Sequence, residues 1–234
     1  MLKASNTNIK DNILHIQQCI VGAAERVGRD PCEVTLVAVS KTVSPALIQE
    51  AFDAGMRAFG ENKVQEAQNK IQALANAPLI PSPTWHLVGH LQTNKAKIAA
   101  ELFNMIQSVD SVKLAETLSQ HAQKNLPILL QVNISEEPSK SGFSTKEISS
   151  AIGHIGNLPK LQIRGLMTIA PPTDNFEECR PFFKKLRLLR DSLGLEHLSM
   201  GMTNDFEIAI EEGATLLRIG RAIFGERKEP YHAY

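Results

Sequence analysis

The sequence predicts an α/β protein: a single (β/α)8 TIM barrel preceded by one extra helix. Three observations predict it. Eight short apolar segments with strand character recur along the 234 residues. Each is followed by a polar turn and, in most cases, an amphipathic stretch, the alternation that builds a parallel sheet covered by helices. Eight such units fit a barrel, since α/β barrels commonly run about 200–250 residues as one domain. An open doubly wound sheet of six or seven strands is the alternative architecture. No linker or low-complexity segment divides the chain. Residues 1–234 therefore read as one domain, with a helix at about 9–27, a barrel at about 34–225 and a short C-terminal tail.

The elements follow in order. Ile9–Val27 reads as the leading helix. VTLVAVS (Val34–Ser40) is Val-rich without clean alternation, as expected of a strand buried on both faces. Ser44 caps the stretch PALIQEAFDAG. Arg57–Gly60 is the second strand, followed by the helical run KVQEAQNKIQALANA. Trp85–Gly89 leads to NKAKIAAELF, and Met105–Val109 leads to SVKLAETLSQHAQKN. Ile128–Ile134 leads through a polar loop to a helix opened by a Ser144/Glu147 capping box. Leu161–Ile169 precedes NFEECRPFFKKLRLLRDSLG, where Pro181 is the irregularity. His197–Gly201 precedes DFEIAIEEGA, and Leu216–Gly225 is the last apolar run.

Composition excludes several classes. Lys+Arg and Asp+Glu are both 25, so no basic excess points to nucleic acid. No apolar run reaches the roughly 20 residues of a membrane span, and the N-terminus lacks a secretory signal. Cys19, Cys32 and Cys179 form no CxxC pair, which suits a reducing, cytoplasmic setting and no metal site.

In a βα barrel the reactive groups sit where strands end. Lys41 directly follows the first strand. A lysine at an apolar barrel mouth can be desolvated and become competent for Schiff-base chemistry, although a solvated strand-end lysine is the plainer reading. Ser199-Met200-Gly201-Met202 and Arg218-Ile219-Gly220-Arg221 place glycines where such barrels bind phosphate through backbone N–H groups. Asn62 ends the second strand, within reach of a ligand or in a turn. His86 lies inside an apolar strand and reads better as a core histidine, whereas His90 and Gln92 could line the mouth. Lys140–Phe143 reads as a surface turn, and Met167 and Thr168 end the sixth strand. A phosphate anchor opposite a lysine suits pyridoxal phosphate (PLP) or a sugar-phosphate aldolase. No HExxH, GxSxG or Walker pattern appears.

The strings LVAVSKT (36–42), FGENKVQE (59–66), WHLVGHLQTNK (85–95), VNISEEPSKSGF (132–143), RGLMTIAP (164–171), LSMGMTNDFEIAI (198–210) and RIGRAIFG (218–225) resemble the YggS/PROSC family of PLP homeostasis proteins. That family has a fold-type III barrel, similar to that of alanine racemase. The resemblance implies that Lys41 forms a Schiff base with PLP. It implies that Ser199 and the backbones of Gly201, Met202, Gly220 and Arg221 hold the phosphate. It places Arg218 beside the pyridine nitrogen and Asn62, His86 and Met167 near the ring. Thr203 stands where the family commonly has Ser, and Arg221 where it often has a small residue such as Thr.

The resemblance further implies intracellular PLP (vitamin B6) homeostasis, with effects on amino- and keto-acid balance and no catalytic turnover. Alanine racemase needs a tyrosine as second base and a further β domain. Here the tyrosines are Tyr231 and Tyr234, in a tail expected to be mobile, and no such domain is expected. A monomer that passes PLP to apo PLP-dependent enzymes is the expected form. A single-barrel PLP-dependent amino-acid racemase is the alternative, and a Schiff-base aldolase without PLP a third reading.

Overall fold

The computed structural model describes residues 8–75, 79–137 and 140–225. The tail with Tyr231 and Tyr234, and the end of the predicted helical run beyond residue 75, lie outside these residues. The leading helix α1 spans Ile9–Arg26. The alternation then runs β1 (Thr35–Val39), α2 (Pro45–Asp53), β2 (Ala58–Glu61), α3 (Val64–Leu74), β3 (Thr84–Leu87) and α4 (Ala96–Leu102). It continues with β4 (Met105–Val109), α5 (Val112–His121), β5 (Leu126–Gln131), α6 (Ile148–Ile155), β6 (Leu161–Met167) and α7 (Arg180–Ser192). It ends with β7 (His197–Ser199), α8 (Phe206–Glu211), β8 (Leu216–Ile219) and α9 (Arg221–Phe224). Each strand pairs in parallel with the next, and β1 pairs with β8, so the sheet closes into the expected barrel.

Local chemistry explains several helix starts. Asn8 accepts from the Asp11 amide, Ser44 from Leu47 and Ser111 from Leu114, each relieving an orphan N–H at a helix start. The Ser144/Glu147 box forms its reciprocal bonds just ahead of α6. Pro181 lies in the first turn of α7, where its missing N–H costs nothing, and a short 3-10 turn over Phe176–Cys179 leads into it. Buried Ile9, Ile13, Ile16, Ile20 and Ala24 form one stripe of α1, which packs on α2, α8 and α9.

Two expectations are corrected. Leu216–Gly225 is not one strand: it breaks at Gly220, and Arg221–Phe224 turns into helix. Its apolar character serves two surfaces. Leu216 packs inside the barrel, while fully buried Ile223 belongs to the outer core and its carbonyl accepts from Asn12 of α1. Lys140–Phe143 is more than a surface turn. Phe143 is buried and bridges Val132, its amide donating to the Gln131 carbonyl at 2.8 Å.

The barrel interior is layered. Val37, Ala58, Leu129, Met167 and Leu216 form an apolar cluster separate from the main core. Side chains two apart share a strand face. Arg218 therefore faces inward above Leu216, and a polar layer is set over the apolar one.

Candidate functional site

The C-terminal ends of the strands surround a cavity of about 520 Å³, within the size range of small-molecule sites. Lys41, Asn62, Met202, Arg218, Gly220 and Arg221 all line it, as do Lys140, Cys179 and Asp205. Six of the ten residues that the resemblance assigns to the PLP site are thus gathered from both ends of the chain. His86, Met167 and Ser199 are buried and lie beneath the floor rather than on the wall. Gly201 supports the wall from behind. Its φ is +92°, and a Cβ there would lie 2.6 Å from that of Ala209, so only glycine fits the turn. His90 is held away at Asp110, at 2.9 Å.

Lys41 sits between two anchored neighbours. Ser40 is fully buried, its hydroxyl donating to Glu61 Oε1 at 2.7 Å. Lys70 of α3 donates to the Ser40 carbonyl at 2.6 Å, to Glu61 at 2.8 Å and to Glu66 at 2.6 Å. Glu66 also accepts from the Thr42 amide. Thr42 has φ +64°, a left-handed conformation uncommon for a β-branched residue. Strain of this kind persists where surroundings over-determine the backbone, and here α3 grips both sides of Lys41. Burial pushes the Glu61 carboxyl above the usual range despite Lys70, and its Oε2 has no hydrogen-bond partner. Burial also raises Glu66, but the bonds from Lys70 and Thr42 prevail and hold it below that range.

The floor is a guanidinium whose hydrogen bonds among the described residues go to neutral groups, with the Asp205 carboxyl near it. Arg218 is 6% exposed and donates to Ser199 Oγ at 2.6 Å and to the Thr168 carbonyl at 2.8 Å. Burial draws its pKa down to about 10, against the opposing pull of Asp205. Asp205 is raised by burial and accepts from the Met202 amide at 2.6 Å. Burial and Asp205 together push the Cys179 thiol up to about 11. His86 is lowered to about 4, mainly by burial, and is therefore neutral.

Sequence reasoning missed Glu61, Glu66, Lys70, Gln107 and Asp205. Glu66 and Lys70 carried a signal, an i,i+4 pair in a helical run. Gln107 carried another, a polar residue inside an apolar strand. A charged pocket floor follows from neither.

The alanine racemase N-terminal domain model matches residues 7–228. The pyridoxal phosphate homeostasis protein of Aquifex aeolicus is 41% identical over 230 residues, covering 94% of this chain and 99% of the relative. That of Pseudomonas aeruginosa is 45% identical over 226 residues, covering 94% and 96%. Among solved structures, PipY of Synechococcus elongatus with PLP bound superposes with a TM-score of 0.81 at 36% identity, covering 93% of this chain and 100% of PipY. Alanine racemase from Corynebacterium glutamicum shares the fold, with a TM-score of 0.69 at 17% identity, and this chain covers 63% of it.

Proposed function

The chain belongs to the alanine racemase N-terminal domain family and, within it, to the pyridoxal phosphate homeostasis proteins, and from that premise we propose that it binds PLP on Lys41 and serves intracellular PLP homeostasis. The observation that carries this reading is the pairing of Lys41 with Arg218 on one cavity, the buried guanidinium's hydrogen-bond partners among the described residues being neutral. A buried charge without a contacting counter-charge favours a lone pair or an anion beside it. When bound, PLP supplies an aldehyde for a lysine amine, an aromatic nitrogen and a phosphate. The donor set fits each part.

In this reading Lys41 provides the amine, and the Ser40 and Thr42 anchors fix where it points. Arg218 faces the ring nitrogen and, remaining charged, disfavours a second positive charge there. The backbones of Gly220 and Arg221 take the phosphate, with Gly201 allowing the turn, while the Met202 amide beside them is held by Asp205. Asn62 borders the ring. Ser199, His86 and Met167 support this set from below.

We further propose that the site does not turn over amino acids. Among the described lining residues other than Lys41, the groups able to accept a proton are committed: Asp205 holds the Met202 amide, Cys179 stays protonated, and Lys140 is paired with Glu137 at 2.7 Å. The protein is proposed to act as a monomer that stores PLP or passes it to apo enzymes.

Borohydride reduction of the PLP-loaded protein, followed by peptide mapping, is expected to place the pyridoxyl mass on Lys41. A wild-type protein labelled elsewhere, or not at all, overturns the site assignment. Rapid solvent-deuterium exchange at Cα of an added amino acid, abolished in Lys41→Ala, overturns the absence of turnover and favours a racemase.

A further inference from the structure

Four inward side chains from four strands form a continuous hydrogen-bonded chain beneath the cavity: His86 on β3, Gln107 on β4, Ser199 on β7 and Arg218 on β8. Its direction is fixed from one end. A guanidinium only donates, so Ser199 Oγ accepts from Arg218 at 2.6 Å. The single Ser199 proton then goes to Gln107 Oε1 at 2.6 Å. Gln107 thereby turns its amide nitrogen to His86 Nδ1 at 2.8 Å, which must be a bare acceptor. His86 carries its proton on Nε2, facing Thr84 Oγ1 at 3.3 Å. The opposite amide orientation strands the Ser199 proton without an acceptor, and Gln107 and Ser199 are both fully buried.

We infer that Gln107 is a positioning residue for the ligand site: by accepting the Ser199 proton it turns the Ser199 lone pair to Arg218 and brings no charge of its own, so Arg218 meets the ligand with no counter-charge in direct contact. A carboxylate in the same place passes negative charge along the chain and blunts the guanidinium. The inference rests on the reading that the PLP ring nitrogen faces Arg218. It adds the device that keeps that nitrogen unprotonated, and with it the weak electron withdrawal suited to holding PLP.

The test uses the full chain with and without PLP. In the PLP-free wild type, NMR of isotope-labelled histidine is expected to show His86 neutral with its proton on Nε2. Gln107→Glu keeps the shape and the acceptor for Ser199 but sets an oxygen against Nδ1, so His86 gains a proton there. Gln107→Met cuts the chain and controls for packing; His86 then loses its fixed preference. With PLP labelled at the ring nitrogen, the wild type is expected to show a bare nitrogen. Gln107→Glu moves that resonance toward the protonated form, and Gln107→Met does not. An Nδ1–H His86 in the wild type, or the same His86 state in wild type and Gln107→Glu, overturns the chain. A responsive His86 with an unmoved ring nitrogen overturns its coupling to the ligand. No PLP binding by the wild type overturns the PLP reading and the ligand half of this one, while the histidine state alone still decides the chain.

Discussion

Replacing Lys70 by Met removes the cation that joins Ser40, Glu61 and Glu66 behind Lys41. The side chains of Lys70 and Glu61 are 8% and 0% exposed, so water cannot take over the pairing. Breaking a buried pair from one side costs about 3–5 kcal/mol, since the remaining charge is left uncompensated. In a chain of this size that lowers Tm by roughly 6–20 °C. The loss depends on pH in a definite direction. Glu61 is already raised by burial. A carboxyl raised in the folded state contributes most below its ordinary value of 4.5, and that contribution fades as pH rises through the folded pKa. Without Lys70 the folded pKa climbs further, so the penalty is large at about pH 8 and shrinks toward about pH 5. Denaturant unfolding of wild type, Lys70→Met and Lys70→Met/Glu61→Gln at both values measures it. The double variant regains most of the loss at the higher pH, because a neutral amide still accepts from Ser40. The account is refuted if Lys70→Met costs under about 1 kcal/mol at the higher pH, or if the second substitution recovers nothing.

The other expectations concern the floor and the phosphate end. His86 titrates near 4 in the fold against 6.5 ordinarily, so its neutral burial stabilises fully above 6.5 and that stability is lost as pH falls from 6.5 to about 4. The loss amounts to about 3 kcal/mol. His86→Leu should flatten urea-derived stability across this window, and an unchanged slope counts against it. Gly201→Ala meets Ala209 at 2.6 Å in a left-handed turn, and is expected to cost about 1–3 kcal/mol in thermal unfolding and to weaken PLP retention. Arg221→Thr removes an exposed cation from the cavity rim; PLP affinity should fall most at low salt and its salt dependence should flatten, as equilibrium titration at two ionic strengths can read.

The barrel was legible because strands buried on both faces leave apolar runs that helices punctuate, and no long insertion hides the period. The place of Lys41 at the barrel mouth was legible by position, two residues past the end of β1. What escaped the sequence was the second use of similar residues. LLRIGRAIFG reads as a single apolar run, yet Leu216 fills the barrel interior and Ile223 the outer core. Glu66 and Lys70 look like a solvated helical pair, but folding buries Lys70 against Glu61, nine residues away. Gln107 and Ser199 stand 92 residues apart, and only closure of the sheet brings them within 2.6 Å. The trace of that chain in the sequence is a departure from pattern: His86, Gln107 and Arg218 each interrupt an apolar strand. Apolar layers normally fill such barrels, and a polar group inside must find a partner. Three interruptions on three strands therefore argue for one shared network, which Ser199 closes between Arg218 and Gln107, and Arg218, lining the cavity with Lys41, ties that polar layer to the barrel mouth.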